Sequence, residues 1–277
     1  MRIYAPDLRR SAGAVAIAAA ACGLVLAGCG GGGSGSSGSG GSGSSASSGN
    51  GSSTASTGGS GGSGGSATTA SATSAPFPVG VGYTWKYKDV TATGGTDGRT
   101  VNKITAVKQV AAGQRITMSA AITTMGSTNH TSSYYVIQPN GEISVPFSQF
   151  SSADSEAQVK LLSGGIFWPS QAALQSGQTT HSTLKIRYTI GGKTQNVTAH
   201  IAVKGDGSQS VTVPAGTYSA TIVDMTMTEK ILGYKIGVEV KTWLASSVGP
   251  VKSEVIIEGV TGAKSIGAEN VLVSFHK

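Results

Sequence analysis

Cysteine is scarce in this chain of 277 residues, which contains only Cys22 and Cys29. Cys22 lies inside an apolar run close to the start, and Cys29 follows the end of that run. If the run is removed, a single cysteine is left, and one cysteine cannot form an internal disulfide. The folded part of the chain must therefore depend on its hydrophobic core.

Histidine is also rare, and the four residues do not have the spacing of a metal site. His130 lies in a polar loop, His181 begins a predicted strand, His200 lies on the polar side of another strand and His276 is penultimate. We interpret all four as surface or turn residues.

Two further groups of residues could form a metal site or an acid/base pair. Met225 and Met227 flank Asp224, and a methionine pair could bind copper(I), but both methionines share a face with apolar neighbours, which favours core packing. Asp154 and Glu156 lie two apart on a predicted helix, where side chains do not face each other. We interpret these two as favouring the helix N-terminus through its dipole. The sequence thus predicts no catalytic residue, no metal site and no cofactor.

The first 28 residues have the pattern of an export signal. A basic head with Arg2, Arg9 and Arg10 precedes the apolar run 14–26, which is shorter than the ~20 apolar residues of a membrane span. The end of the run, Leu26-Ala27-Gly28-Cys29, resembles the lipobox of bacterial lipoprotein signal peptides. The resemblance implies cleavage between Gly28 and Cys29 and lipidation of Cys29. The alternative is an ordinary cleaved signal that carries a cysteine.

The resemblance also implies a location. Several acyl chains on one cysteine anchor a protein stably in a membrane. Aspartate after the lipidated cysteine retains such proteins at the inner membrane of Gram-negative bacteria, and this chain has Gly30 there. We therefore expect a lipid-anchored protein of the cell envelope, at the outer membrane.

Residues 29–75 are predicted to form a tether, beginning with the lipidated cysteine. After Cys29 the stretch is almost entirely Gly, Ser, Ala and Thr, which cannot bury enough apolar area to offset the entropy of ordering. A coil of this length has a root-mean-square reach of roughly 35–40 Å. Residues 76–277 then form the folded domain.

The charges of the chain are scattered, although its formal net charge is +7. The sequence has no basic run and no aromatic platform for stacking bases, so nucleic acid is not an expected partner. A modest surplus of positive charge favours weak contact with anionic polymers of the envelope.

Alternation of apolar and polar residues dominates the domain. It is clearest at 184–190, 197–204 and 234–241, and it predicts strands with one polar face, as in antiparallel sheets. Turn pairs such as Asn140-Gly141 and Asp206-Gly207 separate such runs. Strands are predicted near 83–90, 99–110, 114–123, 132–138, 183–190, 195–204, 209–213, 217–229, 234–245, 248–258 and 267–275. A helix is predicted at 153–162, capped by Ser151 or Ser152, and a helical turn at 170–175.

The expected fold is mainly β: a strongly curved antiparallel sheet or a partly open barrel with one short helix. Three phrases carry a further resemblance: Phe77-Pro78 leading to Trp85-Lys86-Tyr87, then 213–218 (VPAGTY), and Trp243-Leu244-Ala245 with 248–252 (VGPVK). They resemble a family of exported bacterial β-sheet domains of unknown activity, which is similar to the lipoprotein-carrier fold. The resemblance implies the fold and no activity.

The aromatic residues of the domain suggest one more site. In a sheet that does not close, some of them could line a concave apolar pocket; otherwise they fill the core. The candidates are Trp85, Tyr87, Trp168, Tyr188, Tyr234 and Trp243. The expected function is a membrane-tethered, non-enzymatic module that binds an envelope protein or polymer. The alternative is a carrier of a lipid-like ligand in the concave face, and an envelope hydrolase has no specific support.

Overall fold

The computed structural model describes residues 76–91, 98–124, 126–145, 157–190, 192–231, 234–258 and 264–277, all within one compact unit. Nearly all of them are in β-strands, as the alternation predicts. The strands are β1 (Thr84–Thr91), β2 (Gly98–Val110), β3 (Gly113–Thr124), β4 (Ser127–Ile137), β5 (Ile143–Val145), β6 (Ala157–Gly164), β7 (Ile166–Trp168), β8 (Thr179–Ile190), β9 (Lys193–Val213), β10 (Gly216–Ile231), β11 (Tyr234–Ala245), β12 (Gly249–Glu258) and β13 (Lys264–His276). A short helix, α1 (Gln171–Gln175), lies between β7 and β8.

One antiparallel sheet contains all thirteen strands, in the order β6-β8-β9-β10-β11-β12-β13-β1-β2-β3-β4-β5-β7. Its two edge strands, β6 and β7, are consecutive in the chain and are joined by Gly165 alone. The two edges must therefore meet at this point, and the sheet curls into a nearly closed barrel.

The inward side of the sheet forms the core. Fully buried aliphatic side chains come from strands all around the sheet, among them Ile104, Ile116, Leu184, Val223 and Leu272. Burial of each such side chain stabilises the fold by about 1.5–3 kcal/mol. Most of the polar residues between them face outward, as the alternation predicts, whereas Thr100, Asn102 and Glu229 are buried.

The turns follow from local chemistry. Asn140-Gly141 turns the chain between β4 and β5, with Gly141 at a φ of +83°, a conformation that glycine adopts without strain. The helix α1 confirms the helical turn predicted at 170–175, and its N-cap Ser170 accepts a hydrogen bond from the N–H of Ala173 at 3.3 Å.

The helix predicted at 153–162 is wrong over residues 157–162, which belong to strand β6. The adjacent pair Leu161-Leu162 suggested a helix docked on the core. Instead, the register shifts between Leu161 and Ser163, so the sheet accommodates two neighbouring leucines by a β-bulge. Residues 151–156, with the predicted caps Ser151 and Ser152, lie outside the described residues.

The turn predicted at Asp206-Gly207 is also wrong. The predicted strands 195–204 and 209–213 form one strand, β9, and the pairing with β10 shifts between Thr221 and Val223, opposite this dipeptide. Gly207, with a φ of +79°, allows the kink of a bulge in a continuous strand.

Candidate ligand cleft

Two aromatic side chains of β1 are hydrogen-bonded to the start of β12. The indole N–H of Trp85 donates to the carbonyl of Val248 at 2.6 Å, and the hydroxyl of Tyr87 donates to the carbonyl of Pro250 at 3.0 Å. Gly249, between these two carbonyls, has a φ of +101°, and a side chain there would press against Phe77 and Trp85. The segments 77–87 and 248–252, which carry part of the family resemblance in the sequence, thus form one corner of the core.

A cleft opens beside this corner. Its walls come from the segment before β1 and from strands β1, β2, β3, β4 and β12: Phe77, Trp85, Tyr87, Asn102, Met118, Tyr135 and Pro250. The cleft measures about 260 Å³ with the solvent at its mouth, and its enclosed part has room for about one water molecule.

Asn102 is the polar residue of this cleft. Its side chain is 2 % exposed, and its Oδ1 atom accepts no hydrogen bond from any described residue. A buried amide oxygen of this kind is satisfied by a donor from outside, such as a water molecule or a ligand hydroxyl. Sequence reasoning missed Asn102, although it lies on the same parity as Ile104, which is a signal of an inward polar residue.

The tyrosines of the cleft are uncharged. Burial raises the pKa of Tyr87 and of Tyr135 far above the usual range, so both remain phenols at physiological pH. Phe77 packs edge-on against Tyr135 at 5.6 Å between ring centroids. The cleft can therefore accept an apolar group together with one hydrogen-bond donor.

The six aromatic residues predicted for a pocket are not gathered at one place. Trp85 and Tyr87 line the cleft, whereas Trp168 is buried on the edge strand β7, opposite Ile143 of β5. The side chain of Tyr234 lies outside the described ones. Neither Tyr188 nor Trp243 lines the cleft.

Tyr188 contacts a buried carboxyl group. Its hydroxyl lies 3.0 Å from Oε2 of Glu229, and the two side chains are 2 % and 4 % exposed. Burial raises the pKa of Glu229, and the hydrogen bond from Tyr188 lowers it by a smaller amount. Glu229 was missed in the sequence, although it continues the inward alternation of Met225 and Met227.

A second inward carboxyl group lies at the end of β1. Asp89 is 3.3 Å from the hydroxyl of the fully buried Thr100 on β2, and a Cβ at Gly98 would meet the Asp89 side chain. Burial raises the pKa of Asp89 to about 6, against the lowering effect of the Thr100 hydrogen bond.

The outward side of β9–β13 carries a network of charges. Lys252 bonds Glu254 at 2.8 Å and Glu269 at 3.2 Å, and its ammonium lies 5.0 Å from the ring centroid of Trp243. These hydrogen-bonded carboxylates raise the pKa of Lys252, although burial acts in the opposite direction. Trp243 is 7 % exposed and packs with the hydrophobic core, where its ring contacts Lys252 and does not line the cleft.

Asp224 lies on the same outward side, as predicted from its parity. It is nevertheless 8 % exposed, and burial raises its pKa. Met225 and Met227 lie in the core, and no group of three or more potential ligands among the described side chains is arranged for a metal ion.

The remaining predicted residues divide into two groups. The four histidines, His130, His181, His200 and His276, are exposed, as predicted. The loop predicted at His130 is wrong, because this residue lies on strand β4, where it pairs with Ala121 of β3. Others lie outside the described residues: Gly28, Cys29, Asp154 and Glu156. Within the described part of the chain, no helix is long and apolar enough to cross a membrane.

The chain is similar to several solved structures, and the first of these shares its fold. A presumed lipoprotein of Parabacteroides distasonis has a TM-score of 0.52 at 17% identity, over 73% of this chain and 99% of that one. A presumed exported protein of Bacteroides fragilis with a YmcC-like fold has a TM-score of 0.49 at 19% identity, over 73% and 98%. The hypothetical lipoprotein YmcC of Escherichia coli has a TM-score of 0.31 at 9% identity, over 70% and 84%.

No curated protein matches the sequence significantly. The chain does match the model of a family of unknown function, the DUF3108-like family. The match covers residues 81–256 and so includes most of the β-strands described above. Because the match extends over more than half of the chain, the protein belongs to the DUF3108-like family.

Proposed function

We propose that this protein is a lipoprotein of the bacterial envelope, anchored through lipids on Cys29 at the outer membrane, and that its β domain is a non-enzymatic binding module. The observation that carries the proposal is the order of segments: a complete lipobox, a Gly/Ser-rich tether and a domain of the DUF3108-like family. The similarity to a presumed lipoprotein supports it at the level of the fold.

The anchor is tested with two matched cysteine variants. Cys29→Ser removes the acceptor of the lipid, so we expect the protein to lose palmitate labelling and to leave the washed membrane fraction. Cys22→Ser, seven positions earlier in the apolar run, is the control and keeps both properties. A Cys29→Ser protein that still incorporates palmitate would contradict the proposal.

The outer-membrane location has its own test. Gly30→Asp introduces the inner-membrane retention signal directly after Cys29, and Gly33→Asp introduces the same charge in the tether. After separation of the two membranes on a density gradient, we expect only Gly30→Asp to move the protein to the inner membrane. Wild-type protein found at the inner membrane would contradict the location.

A second candidate function is the carriage of a lipid-like ligand, favoured by the aromatic cleft and the unpartnered oxygen of Asn102. The size of the cleft favours the binding module, because an acyl chain does not fit a space for one water molecule unless the walls move. Native mass spectrometry of protein purified from the envelope without detergent decides between them. A bound hydrophobic mass that Met118→Trp removes, and the core control Met225→Leu keeps, would establish the carrier.

The non-enzymatic part of the proposal is tested by activity. The protein is incubated with general esterase, phosphatase, glycosidase and peptidase substrates, and we expect no turnover. Turnover that co-purifies with the protein and is lost in Asn102→Leu or Glu229→Gln would overturn this part.

A further inference from the structure

The outward side of β1–β3 carries six cationic side chains, which we name the basic face: Lys86, Lys88, Arg99, Lys103, Lys108 and Arg115. All six are exposed. On β1, Lys86 and Lys88 alternate with the buried Trp85 and Tyr87, so the lysines point away from the core.

The pairing of the strands brings these cations together. Lys88 is opposite Arg99 on β2, and Lys108 is opposite Arg115 on β3. Lys103 lies between these two pairs and alternates with the buried Asn102 and Ile104. From Arg99 to Lys108 the face extends over nine strand residues, or about 30 Å.

None of these six cations forms an ion pair with a described carboxylate. Glu269, on the outward side of the neighbouring strand β13 and diagonal to Lys88, bonds Lys252 instead. Asp89 is the acidic residue of β1, and it points inward to Thr100. The ion pairs of the described residues lie elsewhere and involve Lys204, Lys241 and Lys252. Six cations adjoin one described carboxylate, which already bonds Lys252, so the basic face keeps a surplus of positive charge for an anionic partner.

Exposed apolar side chains border the basic face. Val110, 38 % exposed, follows Lys108 at the turn between β2 and β3. Val81, 63 % exposed, precedes Gly82, whose N–H donates to the carbonyl of Ile104 beside Lys103. Val273, 43 % exposed, lies on β13 next to the residue that pairs with Lys86.

We propose that the basic face docks the domain onto an anionic membrane surface, with these valines at the boundary between headgroups and acyl chains. A patch about 30 Å long is several Debye lengths across at moderate salt, so it matches a surface of many charges better than a single anion. Protein surfaces that lie at a membrane interface combine cationic side chains with exposed apolar ones, as the basic face and its valines do. The proposal rests on the proposed function for its setting, because the anchor on Cys29 keeps the domain close to a membrane.

The outward side of β6 and β8 is the natural comparison. It carries the exposed cations Lys160, Lys185 and Arg187, and the Nε atom of Arg187 donates to Asn196 at 3.0 Å. This side has three cations among the described residues, against six on the basic face. Replacing its two lysines and one arginine removes as much charge, from the same residue types, as replacing Lys86, Lys88 and Arg99, so it is a matched control.

The test uses the chain from residue 29 onward with Cys29→Ser, so that no lipid contributes and the proposed anchor is not being tested. Two triple variants are compared: Lys86→Gln, Lys88→Gln and Arg99→Gln on the basic face, and Lys160→Gln, Lys185→Gln and Arg187→Gln as the control. Sedimentation with phosphatidylcholine vesicles containing about 30 mol % phosphatidylglycerol gives the partition coefficient, with pure phosphatidylcholine as the uncharged reference. Circular dichroism and thermal unfolding confirm that both variants keep the fold.

Each cation near an anionic membrane contributes about fivefold to partitioning, so three substitutions on the basic face should lower it by about a hundredfold. We expect the control to remain within about threefold of the parent, and binding to fall when salt is raised from about 0.05 to 0.5 M. Equal losses in the two variants, or no preference for anionic vesicles, would overturn the proposal. Tight binding to soluble heparin without binding to vesicles would also overturn it, in favour of an anionic polymer. Failure of the proposed lipid anchor, in contrast, would be detected only by membrane fractionation of the Cys29→Ser and Cys22→Ser variants.

Discussion

At the scale of single residues, Glu229 is the least exposed charged side chain among the described residues, and Tyr188 is its hydrogen-bond partner. Because burial raises its pKa, the folded protein keeps this proton at pH values where the unfolded chain has lost it. The contribution of Glu229 to stability therefore falls as the pH rises from the unfolded pKa through the folded one.

Glu229→Gln should remove this loss, because glutamine carries no charge and its amide oxygen can still accept the bond from Tyr188. We expect similar unfolding free energies for the two proteins at pH 4, and a variant more stable by about 1–2 kcal/mol at pH 7. Urea unfolding at several pH values measures the difference. Glu258→Gln, at a partly exposed position, is the control for the loss of one carboxylate. A Glu229→Gln variant that is less stable at pH 7 would show that the charged carboxylate is stabilised in the fold.

Asp89 should titrate close to neutrality. Its pKa of about 6 lies above the ordinary aspartate value, so its contribution to stability falls as the pH rises from about 4 to 6. Asp89→Asn should abolish this part of the pH dependence and stabilise the protein at pH 7 by about 1 kcal/mol, after allowance for partial exposure to solvent. Carboxyl-carbon NMR of the wild-type protein measures the pKa directly, and a value at or below 4 would contradict the prediction.

The residues of the cleft show where sequence information ends. Aromatic character alone selects Trp85 and Tyr87 in the sequence as candidates for a pocket. Their hydrogen-bond partners are backbone carbonyls of Val248 and Pro250, more than 160 positions away, and nothing in a local pattern encodes that meeting. Glu229 and Asn102 could have been found, since each is a polar residue on an apolar parity.

At the scale of elements, helix α1 rests on the bulged part of β9. A Cβ at Gly205 would overlap the carbonyl of Leu174, the residue that buries the helix in the core. The close approach of the helix backbone to the strand therefore requires glycine at this position.

Gly205→Ala should push α1 away from the sheet and destabilise the fold by about 2–4 kcal/mol, because backbone cannot move aside as a flexible side chain can. Gly165→Ala is the matched control, since its Cβ would meet only ordinary contacts with the ring of Phe167, and it should cost less than about 1 kcal/mol. Thermal and urea unfolding compare the two. Equal stabilities of the two variants would contradict the close packing of α1 on β9.

Strands β6 and β9 show which kinds of strand cannot be predicted from the sequence alone. Long alternating runs, such as those of β10 and β11, are visible in the sequence because each residue reports its own side of the sheet. The doublet Leu161-Leu162 and the dipeptide Asp206-Gly207 imitate a helix and a turn, because a bulge interrupts the alternation without ending the strand. The pairing with β8 and β10 decides both cases, and it is a property of the tertiary structure.

At the scale of the whole molecule, the charges are distributed unevenly over the outward side of the sheet. Acidic side chains are concentrated on β9–β13, where Glu239, Glu254 and Glu269 pair with lysines. The described charged side chains on the outward side of β1–β3, in contrast, are all cationic. The alternation predicted which residues face outward. The side-by-side order of β1, β2 and β3, which concentrates their cations, became visible only in the structure.

The proposed anchor requires that Cys29 is lipidated and is the first residue of the mature chain. Intact-mass spectrometry of the protein extracted from its own membranes measures both. We expect the mass of residues 29–277 increased by a diacylglyceryl group and one amide-linked acyl chain. A mass that corresponds to a chain beginning at another residue, or to an unmodified Cys29 thiol, would contradict the account.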